Sequence, residues 1–249
     1  MKKEVNLEKD EELHDLQIHD LFLIQRRSGY MFTSDSVLLA NFVKFKKTDF
    51  VIELCAGSGV VSILASAKNQ YRDLAALELQ ENLANLARKN FSLNHIENAG
   101  VICDSVQNSV ELFGAETADV VFCNPPYFKQ ETSSASNTEK AIARQEIYLT
   151  LPELVQATSK LLKFGGEFYF IYCTERLPEV ITELKKCNLE PKELQLVQPK
   201  ANRESNVFLM KATKGGRPGL KAIPTLIMYD KNDKESKELQ KIYKRKKKR

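Results

Sequence analysis

Short apolar runs alternate with amphipathic stretches along most of the chain from about residue 50 onward. Phe50–Leu54 is typical of a buried strand, glycines at 57 and 59 break the pattern, and residues 60–67 are typical of a helix. A second helix is indicated by four apolar residues that share one helical face: Leu83, Leu86, Ala87 and Phe91. Further strands are indicated at residues 74–79, 100–103, 119–123, 167–173, 193–198 and 206–211.

The order of these elements predicts the fold class. Strand and helix alternate repeatedly, which favours an α/β protein with a parallel sheet covered by helices on both faces. Thr150-Leu-Pro-Glu153 fits a capping box that opens a further helix. The last two predicted strands have no helix between them, so we expect an antiparallel pair at the edge of the sheet.

Composition favours one globular unit. A chain of 249 residues with 43% hydrophobic content can bury one sizeable core. No apolar run approaches the roughly 20 residues of a membrane span, and residues 1–20 lack the apolar core of a secretion signal. The five cysteines form no CxxC pair, so we expect reduced thiols in a cytoplasmic protein, without a metal site and without a membrane partner.

The charge is concentrated at one end of the chain. The net charge is +4, yet residues 241–249 hold seven Lys or Arg and no acid, which leaves a near-neutral remainder. We therefore predict a flexible N-terminal segment at 1–17, a single domain at 18–230 and a basic tail at 231–249. Such a tail suits contact with RNA phosphates, and the alternative is a solvated, disordered terminus.

The first candidate site is the segment Glu53-Leu-Cys-Ala-Gly-Ser-Gly59, between a predicted strand and a predicted helix. Glycines there allow the backbone to approach a ligand closely, and the helix N-terminus offers free N–H groups. This pattern alone is weak, because it occurs in many folds and Ser62 replaces the third glycine of a dinucleotide-binding motif.

Two acidic residues end the next two strands. Glu78, which lies 21 residues after Gly57, can accept both hydroxyls of a ribose; the alternative is a solvated residue at a strand end. Asp104 can accept a hydrogen bond from the amino group of an adenine, and the alternative is an aspartate that caps the following helix.

The strongest signal is Asn124-Pro125-Pro126-Tyr127, directly after an apolar strand. The prolines remove two backbone donors and stiffen the turn. The Asn124 side-chain oxygen and the Pro125 carbonyl can then accept both N–H groups of one amino group, and Tyr127 offers a flat face for a base. The alternative is a tight turn with a packed tyrosine.

In these four features the chain resembles class I, Rossmann-like S-adenosylmethionine methyltransferases that methylate amino groups. The resemblance implies a seven-stranded, mostly parallel sheet with an antiparallel edge strand, S-adenosylmethionine as cofactor and no metal. It implies catalytic roles for Asn124, Pro125, Pro126 and Tyr127. It implies cofactor contacts for Glu53, Cys55, Ala56, Gly57, Gly59, Glu78, Leu79, Asp104 and Asn124, with Cys55 in place of a more usual glycine.

A narrower resemblance, over residues 18–230, is to bacterial tRNA1(Val) adenine-37 N6-methyltransferases. It rests on residues 29–40, 124–128, 141–146 and 214–216. The upstream segment implies that Thr33, Ser34 and Asp35 contact the methionine end of the cofactor. Gln145 stands where histidine is common in that family, which weakens the transfer of substrate identity.

These observations predict an N6-adenine methyltransferase that acts on RNA, with tRNA as the expected partner. Four alternatives stay open: a glutamine N5-methyltransferase of release factors, a DNA adenine enzyme, an rRNA guanine N2 enzyme, and a non-catalytic RNA-binding protein of methyltransferase fold. The release-factor enzymes share the tetrapeptide but usually carry a larger helical N-terminal domain. The polar segment 129–140 is placed to close over the substrate.

Overall fold

A computed structural model of the chain describes residues 6–29, 31–126 and 148–243. Its strands are β1 (Glu11–Asp15), β2 (Phe22–Arg26), β3 (Phe50–Leu54), β4 (Asp73–Glu78), β5 (Ala99–Cys103), β6 (Ala118–Cys123), β7 (Leu162–Cys173), β8 (Leu189–Lys200), β9 (Val207–Lys214), β10 (Lys221–Ala222) and β11 (Leu226–Tyr229). Its helices are α1 (Ser34–Phe42), α2 (Val60–Ser66), α3 (Glu81–Leu93), α4 (Ser109–Phe113), α5 (Leu151–Leu161), α6 (Leu177–Lys186) and α7 (Lys237–Tyr243). Tyr127, the segment 129–140, Gln145 and residues 244–249 lie outside the described residues.

The central sheet confirms the predicted α/β class. Its strand order is β10-β8-β9-β7-β6-β3-β4-β5, and β11 pairs with β8 as well. The pairings of β9 with β7 and with β8 are antiparallel, and the other pairings in this sheet are parallel.

Two details of the sheet differ from the expectation of seven strands with an antiparallel edge. The antiparallel strand β9 lies inside the sheet, because the chain turns back after Lys200 and re-enters between β7 and β8. The short strands β10 and β11 then pair with the outer side of β8, which brings the sheet to nine strands within the described residues.

Helices cover both faces of the sheet because successive strand residues point to opposite sides. On β3, Val51 belongs to a core formed with α1, α2 and α7, whereas Ile52 belongs to a second core formed with α5 and α6. The predicted capping box begins α5: the Glu153 N–H donates to the Thr150 side chain, and the Thr150 N–H donates to the Glu153 carboxylate. Such a reciprocal cap fixes where the helix starts.

The N-terminal region is more ordered than the predicted flexible segment 1–17. Glu11–Asp15 pairs with Phe22–Arg26 as an antiparallel hairpin, and Lys89 of α3 donates to the buried carboxylate of Glu11 at 2.7 Å. The sparse apolar content at residues 1–15 hides this strand, because polar contacts to α3 stabilise it.

The start of the predicted basic tail is also part of the fold. Leu239 of α7 is buried, and Ile242 and Tyr243 pack against the same core, so residues 237–243 form a helix on the domain. No helix within the described residues has the length and apolarity to cross a membrane.

Candidate active site

A cleft opens where β3, β4, β5 and β6 reach their carboxyl ends. The strand order reverses at β3, since β4 and β5 lie on one side of it and β6 and β7 on the other. Ligands of open α/β sheets bind at such a switch point. The cleft is lined by eight of the predicted cofactor residues: Glu53, Cys55, Ala56, Gly57, Glu78, Leu79, Asp104 and Asn124.

The loop after β3 combines two glycines with different roles. Gly57 has φ of +56°, and a Cβ at this position would meet no atom within 4 Å, so its backbone faces open space in the cleft. Gly59 has φ of +80°, and a Cβ there would lie 2.7 Å from Cε1 of Phe91. Gly59 therefore allows the close approach of the loop to α3; it is absent from the cleft lining, and its contact with the cofactor stays a prediction.

The Glu78 side chain is held by backbone donors. Oε2 of Glu78 accepts from the N–H of Gly57 at 2.8 Å, and Oε1 accepts from the N–H of Gln80 at 2.9 Å. The side chain is buried although it lines the cleft. Its contact with a ribose stays a prediction. Leu79, next to it, presents a partly exposed apolar surface to the cleft.

Glu53 is more deeply buried than Glu78. Burial, and to a lesser extent the negative charge of Glu78, raise the pKa of Glu53 to about 8, although bonds from Ser62 act in the opposite direction. Both the N–H and the hydroxyl of Ser62 donate to Oε2 of Glu53. Ser62, which the sequence marks only as a missing glycine, therefore anchors the carboxyl at the base of the cofactor loop.

Asp104 lines the cleft and also organises the turn after β5. Its Oδ1 accepts from the N–H of Ser105 at 2.6 Å and from Nδ2 of Asn108 at 2.8 Å. Asp104 therefore stabilises the turn, as the alternative role predicted, and its contact with an adenine stays a prediction.

Asn124 follows β6 and reaches the cleft from the side opposite Glu78. Its Nδ2 donates to the Ser36 hydroxyl at 3.2 Å, a contact between residues 88 positions apart. Pro126 also lines the cleft, whereas Pro125 is buried and outside the lining, and Tyr127 lies outside the described residues. An Asn amide that donates through nitrogen keeps its carbonyl oxygen as an acceptor.

Ser34 and Asp35 are not brought to this cleft. They line a separate depression with residues of β7 and β9, and Phe32 and Ser36 line the cleft instead. The reason is helical geometry: α1 begins at Ser34, and residues two positions apart on a helix point about 200° apart. The segment upstream of β3 does reach the cleft, as predicted. The motif does not show which face of α1 points toward the cleft. Tyr148, which sequence reasoning missed, lines the cleft with a half-exposed ring.

The N-terminal hairpin is joined to the cofactor loop through Asn90 of α3. Asn90 accepts from the Ile24 N–H at 2.7 Å and donates to the carbonyls of Ile24 and Ser58, each at 3.0 Å. Asn94, one turn later, binds both backbone groups of Phe22 in the same way. The two asparagine side chains thus bind backbone groups of β2 as a neighbouring strand would. Asn90, which is fully buried, also binds the cofactor loop.

These features fit S-adenosylmethionine. The open backbone at Gly57 and the buried, hydrogen-bonded carboxylate of Glu78 suit its amino-acid and ribose parts, and Leu79, Leu83 and Val106 give the cleft an apolar wall. The core of seven strands, one of them antiparallel, with this cleft at the switch point defines a class I methyltransferase.

The comparisons specify the family within that class. A family model described as "Methyltransferase small domain" matches residues 31–186, and the chain belongs to this family. A curated tRNA1(Val) (adenine(37)-N6)-methyltransferase of Shewanella halifaxensis is 30% identical over 164 residues, which cover 66% of this chain and 66% of that protein. A protein of the same name from a Flavobacteriaceae bacterium is 27% identical over 187 residues, 69% of this chain and 78% of that protein.

Solved structures support the fold. A predicted O-methyltransferase from Agrobacterium tumefaciens superposes with a TM-score of 0.68 at 18% identity, over 84% of this chain and 95% of that one. M. jannaschii TYW2 in complex with AdoMet superposes with a TM-score of 0.57 at 12% identity, over 84% and 87%. The chain is a methyltransferase of this family.

Proposed function

We propose that this chain methylates N6 of an adenine in tRNA. The observation that carries the proposal is Asn124: its amide nitrogen is engaged by Ser36, so its oxygen is available at the cleft as an acceptor for an amino group. The names of the curated relatives support tRNA as the substrate class and adenine 37 as the nucleotide.

The chemistry required of the protein is positioning. S-adenosylmethionine supplies an activated methyl group when bound. Asn124 Oδ1 and the Pro125 carbonyl accept the two amino N–H groups, which draws electron density toward the nitrogen and orients its lone pair. No strong base is needed, because the nitrogen becomes acidic on alkylation and can release its proton to water. Preorganised acceptors of this kind supply most of the acceleration.

An adenine in folded RNA must leave its stack to reach the cleft. Tyr127 is expected to stack on the base, and the partly exposed ring of Tyr148 offers a second flat surface at the cleft. Stacking of a base on an aromatic ring contributes about 1–3 kcal/mol.

The test uses the full-length protein with S-adenosylmethionine and three acceptors: a tRNA1(Val) transcript, the same transcript with adenine 37 replaced by guanine, and a purified release factor. We expect N6-methyladenosine by mass spectrometry in the first transcript alone. Methylation of release-factor glutamine without tRNA methylation would replace the proposal by its nearest alternative. Methyl transfer to both transcripts would retain the substrate class and reject position 37.

We also infer that the basic tail contacts RNA phosphates. Residues 244–249 carry six Lys or Arg, and they follow directly from α7, which is packed on the domain. The deletion variant should lack residues 244–249 and end at Tyr243, because Ile242 and Tyr243 pack against the core. The truncated protein should bind tRNA more weakly. The slope of its log binding constant against log salt concentration should also become shallower, by up to about 0.9 for each phosphate that the tail neutralises in the parent. An unchanged slope would indicate a solvated tail.

A further inference from the structure

Ser36 carries a buried hydroxyl at the edge of the catalytic cleft. The proposed function gives it no role in binding either the cofactor or the amino group. Its side chain is 3% exposed, it lines the cleft, and its oxygen accepts the Asn124 Nδ2 hydrogen at 3.2 Å. Both residues belong to the same cleft although they come from different elements, α1 and the end of β6.

The orientation of the Asn124 amide decides whether the cleft offers an acceptor or a donor. The carbonyl oxygen accepts hydrogen bonds only, and the NH₂ group donates only. With Nδ2 bonded to Ser36, Oδ1 is left for the N–H of an incoming amine. A rotated amide would oppose one NH₂ group with another, and the acceptor pair would be lost.

Ser36 is suited to this role because its backbone is held rigidly. Its N–H donates to the carbonyl of Thr33 at 3.2 Å as α1 begins. The helix packs on α2 and β7, and its residues Val37, Leu38, Leu39, Ala40 and Phe42 are buried. At the far end of the helix, the rings of Phe42 and Tyr169 in β7 pack in a T-shaped arrangement at a centroid distance of 5.8 Å. The Ser36 oxygen therefore has a fixed position relative to the sheet that carries Asn124.

We propose that Ser36 is the positioning residue that holds the Asn124 side chain in its rotamer at the cleft for methylation of an amino group. The inference deepens the proposed function and rests on an amine as the acceptor. It assigns the upstream segment a role in presenting the acceptor group, in addition to its predicted place beside the cofactor.

The first test compares Ser36→Ala, Ser36→Thr and Ser109→Ala. Ser109 is a matched control, because its hydroxyl is also buried and has no hydrogen-bond partner among the described residues. We expect Ser36→Ala to lower kcat roughly 10- to 100-fold, the scale of a misplaced catalytic group, while the Kd for S-adenosylmethionine and the Tm stay close to those of the parent. Ser36→Thr, which retains the hydroxyl, should recover most of the turnover, and Ser109→Ala should resemble the parent. An unchanged kcat in Ser36→Ala, or a fall matched by loss of cofactor binding, would overturn the proposal.

The second test does not depend on substrate. The side-chain NH₂ signals of Asn124 can be assigned in a ¹⁵N correlation spectrum by their loss in Asn124→Asp. In Ser36→Ala the hydrogen-bonded proton should move upfield and exchange faster with water, whereas Ser109→Ala should leave it in place. A signal that does not respond to Ser36→Ala would reject the contact. If the signal responds and tRNA is not methylated, the proposed substrate has failed and the positioning contact stands.

Discussion

The two sides of the cleft are built in different ways. At the cofactor side, Glu78 is held by backbone N–H groups of Gly57 and Gln80, which belong to the turns that follow β3 and β4. At the acceptor side, Asn124 is held through its side chain by Ser36, which lies on a helix outside the sheet. The cofactor side is therefore a local property of strand, turn and helix, whereas the acceptor side depends on tertiary packing. Substitutions on the two sides should separate binding from turnover.

Asn124→Ala should give the largest effect. Loss of its oxygen removes one of two acceptors for the amine, so kcat should fall about 10²- to 10³-fold, as for removal of one preorganised group in other active sites. Cofactor affinity should change little, because Glu78 and the glycine loop are intact. Single-turnover kinetics together with calorimetric titration of S-adenosylmethionine measure both quantities. Full turnover in this variant would exclude the amino-binding role.

Glu78→Ala should have the opposite effect, with weaker cofactor binding and nearly unchanged turnover. Hydrogen bonds to a charged group contribute about 1.5–3 kcal/mol each, so the Kd for S-adenosylmethionine should rise roughly 10- to 100-fold for each ribose hydroxyl that Glu78 binds. At saturating cofactor, kcat should stay within a few-fold of the parent value. A normal Kd would show that the ribose is held elsewhere, and Asn124→Ala serves as the reciprocal control.

Asn90→Ala tests whether the cofactor loop also relies on the N-terminal hairpin. The change leaves the buried backbone groups of Ile24 and the carbonyl of Ser58 without their side-chain partner. We expect the free energy of unfolding to fall by about 2 kcal/mol, since each unsatisfied buried group costs about 1–3 kcal/mol and water can relieve part of this. Urea unfolding measures the change. Asn94→Ala, which is less buried and does not contact the loop, should cost less.

The same division explains what could be predicted from the sequence. Strand β3, the glycine turn and Glu78 were predictable because their spacing is set within one β-turn-α unit and the strand that follows it. Ser36 was not, because a motif that contains Ser34, Asp35 and Ser36 does not show which helical face meets the sheet. The place of β9 inside the sheet was also hidden, since alternation predicts a strand but not the neighbour with which it pairs. The hairpin at β1 was missed because polar side chains of α3 stabilise it.

The smallest expected effect concerns the protonation of Glu53. Because burial raises the pKa of Glu53 from 4.5 to about 8, the folded state holds a proton between these values that the unfolded state has released. Stability contributed by this group therefore falls as pH rises through that window and levels off above about 8. Between pH 7 and pH 8.5 the loss should be about 1 kcal/mol, given about 1.4 kcal/mol per pH unit for a full proton. Glu53→Gln cannot titrate, so its urea midpoint should change less over this interval than that of the parent protein. Equal slopes in the two proteins would mean that Glu53 is already ionised at pH 7, and that Ser62 stabilises its charge more strongly than burial opposes it.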